Sequence, residues 1–182
     1  RRADRVITVS EFSRRELRRY FPKSSARIEV IANGCQAAFR ERLDERRLAE
    51  VRLRHGVSAP YCLFVGNAKR HKGGAELLEA WRALGSEFGE SRPQLVVVGG
   101  AFGDRFRAEA VAACGERGVR FLSGVSTADL VALTQGALAS LLPSRVEGFG
   151  LPALEALAVG TPVVCSPAPA LREVCEENAW YA

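Results

Sequence analysis

Two glutamates with seven residues between them, Glu147 and Glu155, bracket the most chemically suggestive stretch of the chain, SRVEGFGLPALEALAVG from Ser144 to Gly160. Gly148 and Gly150 make a turn after a predicted strand, and Pro152 stands where a helix would begin, a position at which proline is favoured because its missing N–H would be unpaired anyway. The backbone N–H groups of about Phe149 to Leu151 then face outward at the positive end of a helix dipole, an anion site suited to phosphate. Glu147 precedes the glycine turn and Glu155 lies about one turn inside the helix. An ionised carboxylate only accepts hydrogen bonds, so carboxylates on both sides of a phosphate cradle suit a ligand with phosphate in the middle and hydroxyls at either end. A nucleotide sugar has that layout, its ribose diol meeting Glu155 and its sugar hydroxyls meeting Glu147. The competing reading leaves Glu155 supporting a helix N-terminus and Glu147 as a solvated loop residue.

A second constellation is FVGNAKRHKGG, Phe64 to Gly74. A strand ends at Val65, Gly66 permits close backbone approach, and Lys69, Arg70 and Lys72 gather positive charge just before a helix. A lysine there acts as a point charge on a diphosphate. Taken alone the run reads equally as a solvated basic loop; it gains weight because both loops should open on the same edge of a sheet. Gly99-Gly100 with Gly103 lacks the G-x-G-x-x-G spacing, which disfavours a nicotinamide enzyme, and neither a G-x-S-x-G elbow nor a G-x-x-x-x-G-K-[ST] loop occurs. His71 reads as an exposed loop histidine rather than an acid or base.

The elements that must position these residues alternate along the chain. Short apolar runs at Tyr61–Val65, Leu95–Val98, Val119–Leu122, Leu138–Leu142 and Pro162–Cys165 read as buried strands. Between them, 75–88, 105–118, 128–136 and 152–159 carry apolar residues at helical spacing. Strand alternating with helix over five cycles predicts an α/β fold, a doubly wound parallel sheet covered on both faces, with ligands outside the carboxyl ends of its strands. The first 35 residues differ. Val6–Val9 and Ile28–Ile31 are strand candidates, Ser13 with Glu16 suggests a capping box for a basic helix running to Tyr20, and Asn33-Gly34 marks a turn. Residues 1–35 are expected to be the end of a preceding domain with its linker, the charged stretch to Arg54 a connector, and 36–182 the ligand-binding domain.

Composition narrows the classes. The 182 residues are 47% hydrophobic and 26% charged, enough apolar surface for a core, and no run approaches the ~18 apolar residues a membrane span needs. We expect a soluble, cytoplasmic segment, and, since methionine is absent even at position 1, a piece of a longer protein. Five widely spaced cysteines without a C-x-x-C pair suggest buried thiols rather than disulfides or zinc, and with only two histidines no metal site is expected. The formal charge of +5 is uneven: residues 1–54 hold 15 Lys or Arg against 8 Asp or Glu, residues 55–182 hold 11 against 13. That basic segment reads as a solvated face or an anionic partner surface. Nucleic-acid binding ranks last for want of an aromatic platform or recognition helix.

The segment EGFGLPALEALAVGTPVV, from Glu147 to Val164, resembles the glutamate-seven-glutamate signature of retaining GT-B glycosyltransferases of group 1, also called family 4. VGNAKRHKGG is similar to their diphosphate loop, and VRFLSGVSTADLVAL from Val119 resembles their base-binding segment. DRVITVSEFSRREL and IEVIANGCQAAF resemble the end of the N-terminal domain and the interdomain linker. The resemblance implies the Rossmann-like donor-binding half of a GT-B fold. It implies that Glu147 contacts the transferred sugar, Glu155 the ribose, and Lys72 the diphosphate, aided by backbone at Gly148, Phe149, Gly150 and Leu151. Gly66, Asn67 and Lys69 would shape the diphosphate loop, Gly100 would border the donor, and backbone near Leu122 and Ser123 would read the base. Asn67 stands where many members have arginine, and Cys35-Gln36 replaces the usual Val-Asp after Asn33-Gly34.

By the same resemblance the donor is a GDP- or UDP-linked sugar, with mannose favoured. No cofactor or metal is required, and the acceptor is a glycan or lipid-linked molecule held mainly by an N-terminal domain. Low turnover is expected of the isolated segment, and peripheral contact with the inner face of a membrane fits the basic N-terminal stretch. The alternative function is a non-catalytic nucleotide-sugar-binding or scaffolding module of the same fold.

Overall fold

The computed structural model describes residues 3–24, 26–100 and 102–182. Its first elements are β1 (Arg5–Thr8), α1 (Glu11–Tyr20) and β2 (Arg27–Val30), the two strands pairing in parallel as a small separate sheet. The box expected from Ser13 and Glu16 is not the one used. Ser10, in extended backbone, is the N-cap, and its hydroxyl accepts the Ser13 N–H at 3.0 Å. The chain therefore enters the helix directly as it leaves β1.

The stretch expected to be a mere connector contains α2 (Glu45–His55), capped by the Asp44 side chain at the Arg47 N–H, 2.8 Å, and ended by Gly56 in the left-handed conformation. Its arginines and glutamates hide a narrow apolar stripe, Leu48 and Val51, that is buried against the sheet. Then follow β3 (Tyr61–Val65), α3 (Gly74–Phe88), β4 (Gln94–Val98), α4 (Asp104–Cys114), β5 (Val119–Leu122), α5 (Thr127–Gln135), β6 (Ala139–Leu142), α6 (Leu151–Ala158), β7 (Val163–Cys165), α7 (Pro169–Cys175) and β8 (Trp180–Tyr181). The five expected strands are present within a residue or two, while α7 and β8 are additions.

All six strands of the main sheet run parallel in the order β5-β4-β3-β6-β7-β8. Strand alternation decides the layers. On one face Leu63, Val96, Val98 and Leu122 pack with Val51 of α2 and Leu133 of α5. On the other Phe64, Leu95 and Val97 pack with Leu77, Leu78 and Trp81 of α3. Burying each such side chain is worth about 1.5–3 kcal/mol. From β3 the chain winds outward through β4 and β5, then returns to lay β6 on the opposite side of β3. The crevice between β3 and β6 is thus the topological switch point, where open parallel sheets bind ligands.

Asp129 of α5 ties α2 down: it accepts two bonds from Arg54 Nη1, 2.9 and 3.1 Å, and lies 3.0 Å from His55 Nε2. Burial raises the pKa of its carboxyl, but hydrogen bonds from His55 and Arg54 outweigh burial and hold it below the usual value. All five cysteines are free thiols, Cys114, Cys165 and Cys175 buried, Cys35 and Cys62 half-buried. Among the described residues no helix is long and apolar enough to cross a membrane.

Candidate functional site

Both loops singled out in the sequence leave the sheet at the switch point. After β3 the chain makes an Asx turn, Asn67 Oδ1 accepting the Lys69 N–H at 3.1 Å, then a single 3-10 turn over Arg70–Lys72. Asn67 therefore shapes this loop through its own side chain. Gly73 follows in the left-handed region, φ +73°, and a Cβ on it would collide with the carbonyl oxygen of Pro143, the first residue after β6. Only glycine lets the two loops approach this closely. The Arg145 N–H donates to the His71 carbonyl at 2.8 Å, and the Arg145 guanidinium pairs with Glu76 in the first turn of α3.

Lys72 and Glu147 meet across this seam, Nζ to Oε1 2.6 Å, with side chains only 20% and 10% exposed. Lys69, Arg70 and His71 are exposed. Of the basic run, Lys72 alone turns inward to that carboxylate.

The electrostatics of the edge favour an anion. Helices α1, α2 and α5 are closed by side chains at their N-termini, Ser10, Asp44 and Ser126. Helices α3, α4 and α6, which begin at the carboxyl edge of β3, β4 and β6, have glycine N-caps, Gly73, Gly103 and Gly150, with no side-chain cap. Their free N–H groups and positive dipole ends face the same rim as Lys72. The N–H groups of Phe149, Gly150 and Leu151 find no hydrogen-bond partner among the described residues. Gly150, φ +100°, turns the chain into α6 where a Cβ would strike Leu171 of α7, and Pro152 lies in the first turn.

Glu155 is half-buried, its side chain makes no hydrogen bond or ion pair among the described residues, and burial pushes its carboxyl above the usual carboxylate value. Its charge reaches Cys35, whose thiol is raised by burial and next by the charge of Glu155. The sequence offered Cys35 only as a departure from a linker pattern; in the fold it packs against the cluster of Phe39, Val131 and Val159, within reach of the Glu155 charge.

The remaining candidates spread along the same edge. Gly66 donates its N–H to the Val98 carbonyl at 2.9 Å, and Gly99 donates to the Leu122 carbonyl at 2.9 Å, so the Leu122 oxygen is engaged within the sheet. Ser123 and Gly100 are exposed at the ends of β5 and β4; residue 101 of that loop lies outside the described residues. With strands ~4.8 Å apart, β6 to β5 spans about 14 Å, the reach of an extended ligand rather than a compact one. No group of three His, Cys, Asp or Glu side chains among the described residues could hold a metal ion.

A further set of contacts was not expected from the sequence. Ser10 Oγ donates to the Gly148 carbonyl at 2.7 Å and Ser13 Oγ to the same oxygen at 3.2 Å. The Glu173 carboxylate of α7 accepts the N–H groups of Glu11 and Phe12, at 2.6 and 3.1 Å. Helix α1 is thereby fixed to the glycine turn and to α7. Its serines could be read as caps from sequence, but nothing local announces their partner 135 or more residues away.

The family model described as "Glycosyl transferases group 1" matches residues 46–180, and that described as "Glycosyltransferase Family 4" matches residues 1–39. The chain is 32% identical over 174 residues to the O-antigen chain mannosyltransferase B of Escherichia coli, covering 93% of this chain and 45% of that protein. Among solved structures, sucrose-phosphate synthase from Thermosynechococcus elongatus superposes with TM-score 0.79 at 28% identity, covering 98% of this chain and 45% of that one. WaaG, a glycosyltransferase involved in lipopolysaccharide biosynthesis, superposes with TM-score 0.79 at 20% identity over 94% of this chain and 47% of its own. The chain thus spans less than half the length of these relatives. The superpositions identify the six-stranded sheet and its helices as the Rossmann-like half of a GT-B fold.

Proposed function

Because the chain belongs to the group 1 glycosyltransferases, we propose that it is the donor-binding half of a retaining enzyme that moves a sugar from a nucleoside diphosphate sugar to a glycan or lipid-linked acceptor. Residues 36–182 hold the donor, and residues 1–35 end the acceptor-holding domain and lead into the linker. The observation that carries this reading is the Lys72–Glu147 contact at the switch point, beside the free amides that open α6.

In this reading the diphosphate lies against the N–H groups of Phe149, Gly150 and Leu151, with Lys72 leaving Glu147 to face it. Glu147, released from that pair, accepts hydroxyls of the transferred sugar. Glu155 accepts the ribose diol, whose hydroxyls supply hydrogen bonds that its carboxylate does not find among the described residues. Gly66 and the Asx turn of Asn67 bring backbone close to the phosphates, Lys69 adds charge at the rim, Gly100 borders the donor, and backbone at Leu122–Ser123 meets the base. Charge grows on the diphosphate as the bond to the sugar breaks, so donors fixed where it grows lower the barrier more than they tighten the ground state. The departing phosphate then sits on the same face as the incoming hydroxyl, can take its proton, and leaves the anomeric configuration retained.

Mannose is the favoured sugar, since the Escherichia coli relative is named a mannosyltransferase. The exposed arginines of α1, Arg15, Arg18 and Arg19, suit peripheral contact with an anionic membrane face that carries a lipid-linked acceptor. Low turnover is expected of the 182 residues alone, because the acceptor half is needed to close the cleft. Calorimetry of the chain with GDP, UDP and ADP tests the donor site: saturable binding of one diphosphate supports it, and indifference to all three overturns it. Sugar transfer by the longer protein, followed by the anomeric configuration of the product, tests the reaction.

A further inference from the structure

The first turn of α1 is a bracket rather than an anion site. All four of its leading N–H groups are taken: Glu11 and Phe12 by the Glu173 carboxylate, Ser13 by Ser10 Oγ, and Arg14 by the Ser10 carbonyl at 3.0 Å. What the turn offers outward is hydroxyl protons. Ser10 is completely buried. Its Oγ already accepts from Ser13 N–H, and that oxygen lies closer to the Gly148 carbonyl, 2.7 Å, than to Ser13 Oγ, 3.0 Å, which favours the carbonyl as the acceptor of its single proton. Ser13 Oγ supplies a second donor to the same carbonyl at 3.2 Å, filling both lone pairs of that oxygen. The two serines fall in the span matched by one family model, residues 1–39, and Gly148 in the span matched by the other, residues 46–180.

The consequence follows from peptide geometry. The bond between Gly148 and Phe149 is trans, so its C=O and N–H point in opposite directions. Holding the Gly148 oxygen on α1 aims the Phe149 N–H away from α1, and that N–H is one of the amides without a partner among the described residues. Glycine at 148 has little backbone preference of its own, and a Cβ there would meet nothing closer than Ser13 Oγ at 4.0 Å. Gly148 itself thus supplies neither side-chain packing nor steric restraint to this peptide, while the two serine hydroxyls hold its carbonyl.

We infer that Ser10 and Ser13 are positioning residues for the donor diphosphate: by locking the Gly148–Phe149 peptide they pre-aim the Phe149 N–H at the phosphate. This rests on reading the glycine turn as the diphosphate seat. It makes the acceptor-side segment a working part of the donor site, joined to it before any ligand arrives.

The test is calorimetry on the chain and its Ser10→Gly, Ser13→Ala and double variants, with GDP and UDP set against guanosine and uridine. Glycine is nearly as good an N-cap as serine and alanine is a strong helix former, so both substitutions remove hydroxyls while sparing α1. The expected result is a loss of about fivefold or more in nucleoside diphosphate affinity in the double variant, the scale of one net hydrogen bond, with nucleoside affinity held within about twofold. Each single variant, if the double one does not fold, should show a smaller loss of the same selectivity. Diphosphate affinity that stays at the wild-type level, or falls in step with nucleoside affinity, overturns the inference. A wild-type chain that binds no nucleotide overturns the reading of the site, and this inference with it.

Discussion

Lys72 Nζ and Glu147 Oε1 stand 2.6 Å apart although 75 residues separate them in the chain, and the contact spans the crevice where the sheet reverses its strand order. Two opposite charges this near and this little exposed hold each other in place. The diphosphate of the proposed donor would offer Lys72 an alternative partner of higher charge. In the function proposed above, Lys72 turns from Glu147 to the phosphate and Glu147 is set free for the sugar.

The first prediction concerns the coupling of these two groups. Lys72→Met leaves a carboxylate only 10% exposed without its cation and should cost roughly 1–3 kcal/mol, between the limits for exposed and buried pairs. Glu147→Gln should cost less, since Lys72 is the more exposed partner. The double variant should recover about 1 kcal/mol of the summed loss. Urea unfolding of the four proteins measures this, and strictly additive losses would mean the two side chains do not act as a pair.

A second prediction sets stability against function at Glu155. Its folded pKa lies above the ordinary carboxylate value because of burial. In the interval between the two values the native state keeps a proton the unfolded chain has lost, so stability falls as pH rises through that interval and the penalty is complete above it. Glu155→Gln removes the penalty. It should raise the melting temperature by about 1–2 °C at neutral pH, flatten the stability profile on the acid side, and weaken nucleoside diphosphate binding roughly tenfold. A variant less stable than the parent at pH 7 would contradict the assignment of Glu155 as an unpaired, desolvated acid.

Much of this was legible in the sequence because it is local. The runs YCLFV and LVVV are strands wherever they are buried, and Gly-x-Gly-x-Pro after a strand dictates a turn and a helix start. That two loops should share an edge followed from the βαβ alternation alone. What stayed hidden is carried by contacts distant in sequence. The stripe of Leu48 and Val51 is too narrow to stand out among the charges of α2, and only the sheet shows what it covers. Ser13 with Glu16 fits the capping-box pattern in sequence, whereas the fold uses Ser10 as the cap and turns both hydroxyls to the Gly148 carbonyl. Cys35 is only a departure from the linker pattern in sequence; the fold brings it within reach of the Glu155 charge.

Gly73 gives a third prediction. Its left-handed backbone disfavours any Cβ, and the Pro143 carbonyl occupies the place where one would go. Gly73→Ala should therefore cost about 2 kcal/mol or more and part the loops that carry Lys72 and Glu147, abolishing measurable nucleotide binding. Gly100→Ala is the matched control. Among the described residues no atom lies near its absent Cβ and its φ is not in the left-handed region, so its stability should stay within about 0.5 kcal/mol of the parent. Equal effects of the two substitutions on unfolding would remove the close approach as the reason for Gly73.

The last prediction uses Cys35 as a reporter of Glu155. The thiolate is the reactive form of cysteine, and the Cys35 thiol is pushed up from 9.0 by burial first and by the Glu155 charge second, with Arg40 opposing. Alkylation by iodoacetamide at mildly alkaline pH should be slow at Cys35. It should be slower still at Cys62, whose thiol is pushed up to about 11, and blocked by burial at Cys114, Cys165 and Cys175 until the protein unfolds. Glu155→Gln takes away the negative neighbour, so Cys35 should react faster by about twofold or more, within the scale of a weakened charge–charge contact. A nucleoside diphosphate seated against Glu155 covers the thiol and should slow the same reaction in the parent chain. Peptide mass spectrometry over a time course reads both changes at once. Labelling of Cys35 that ignores the substitution and the nucleotide alike would place the linker outside the pocket.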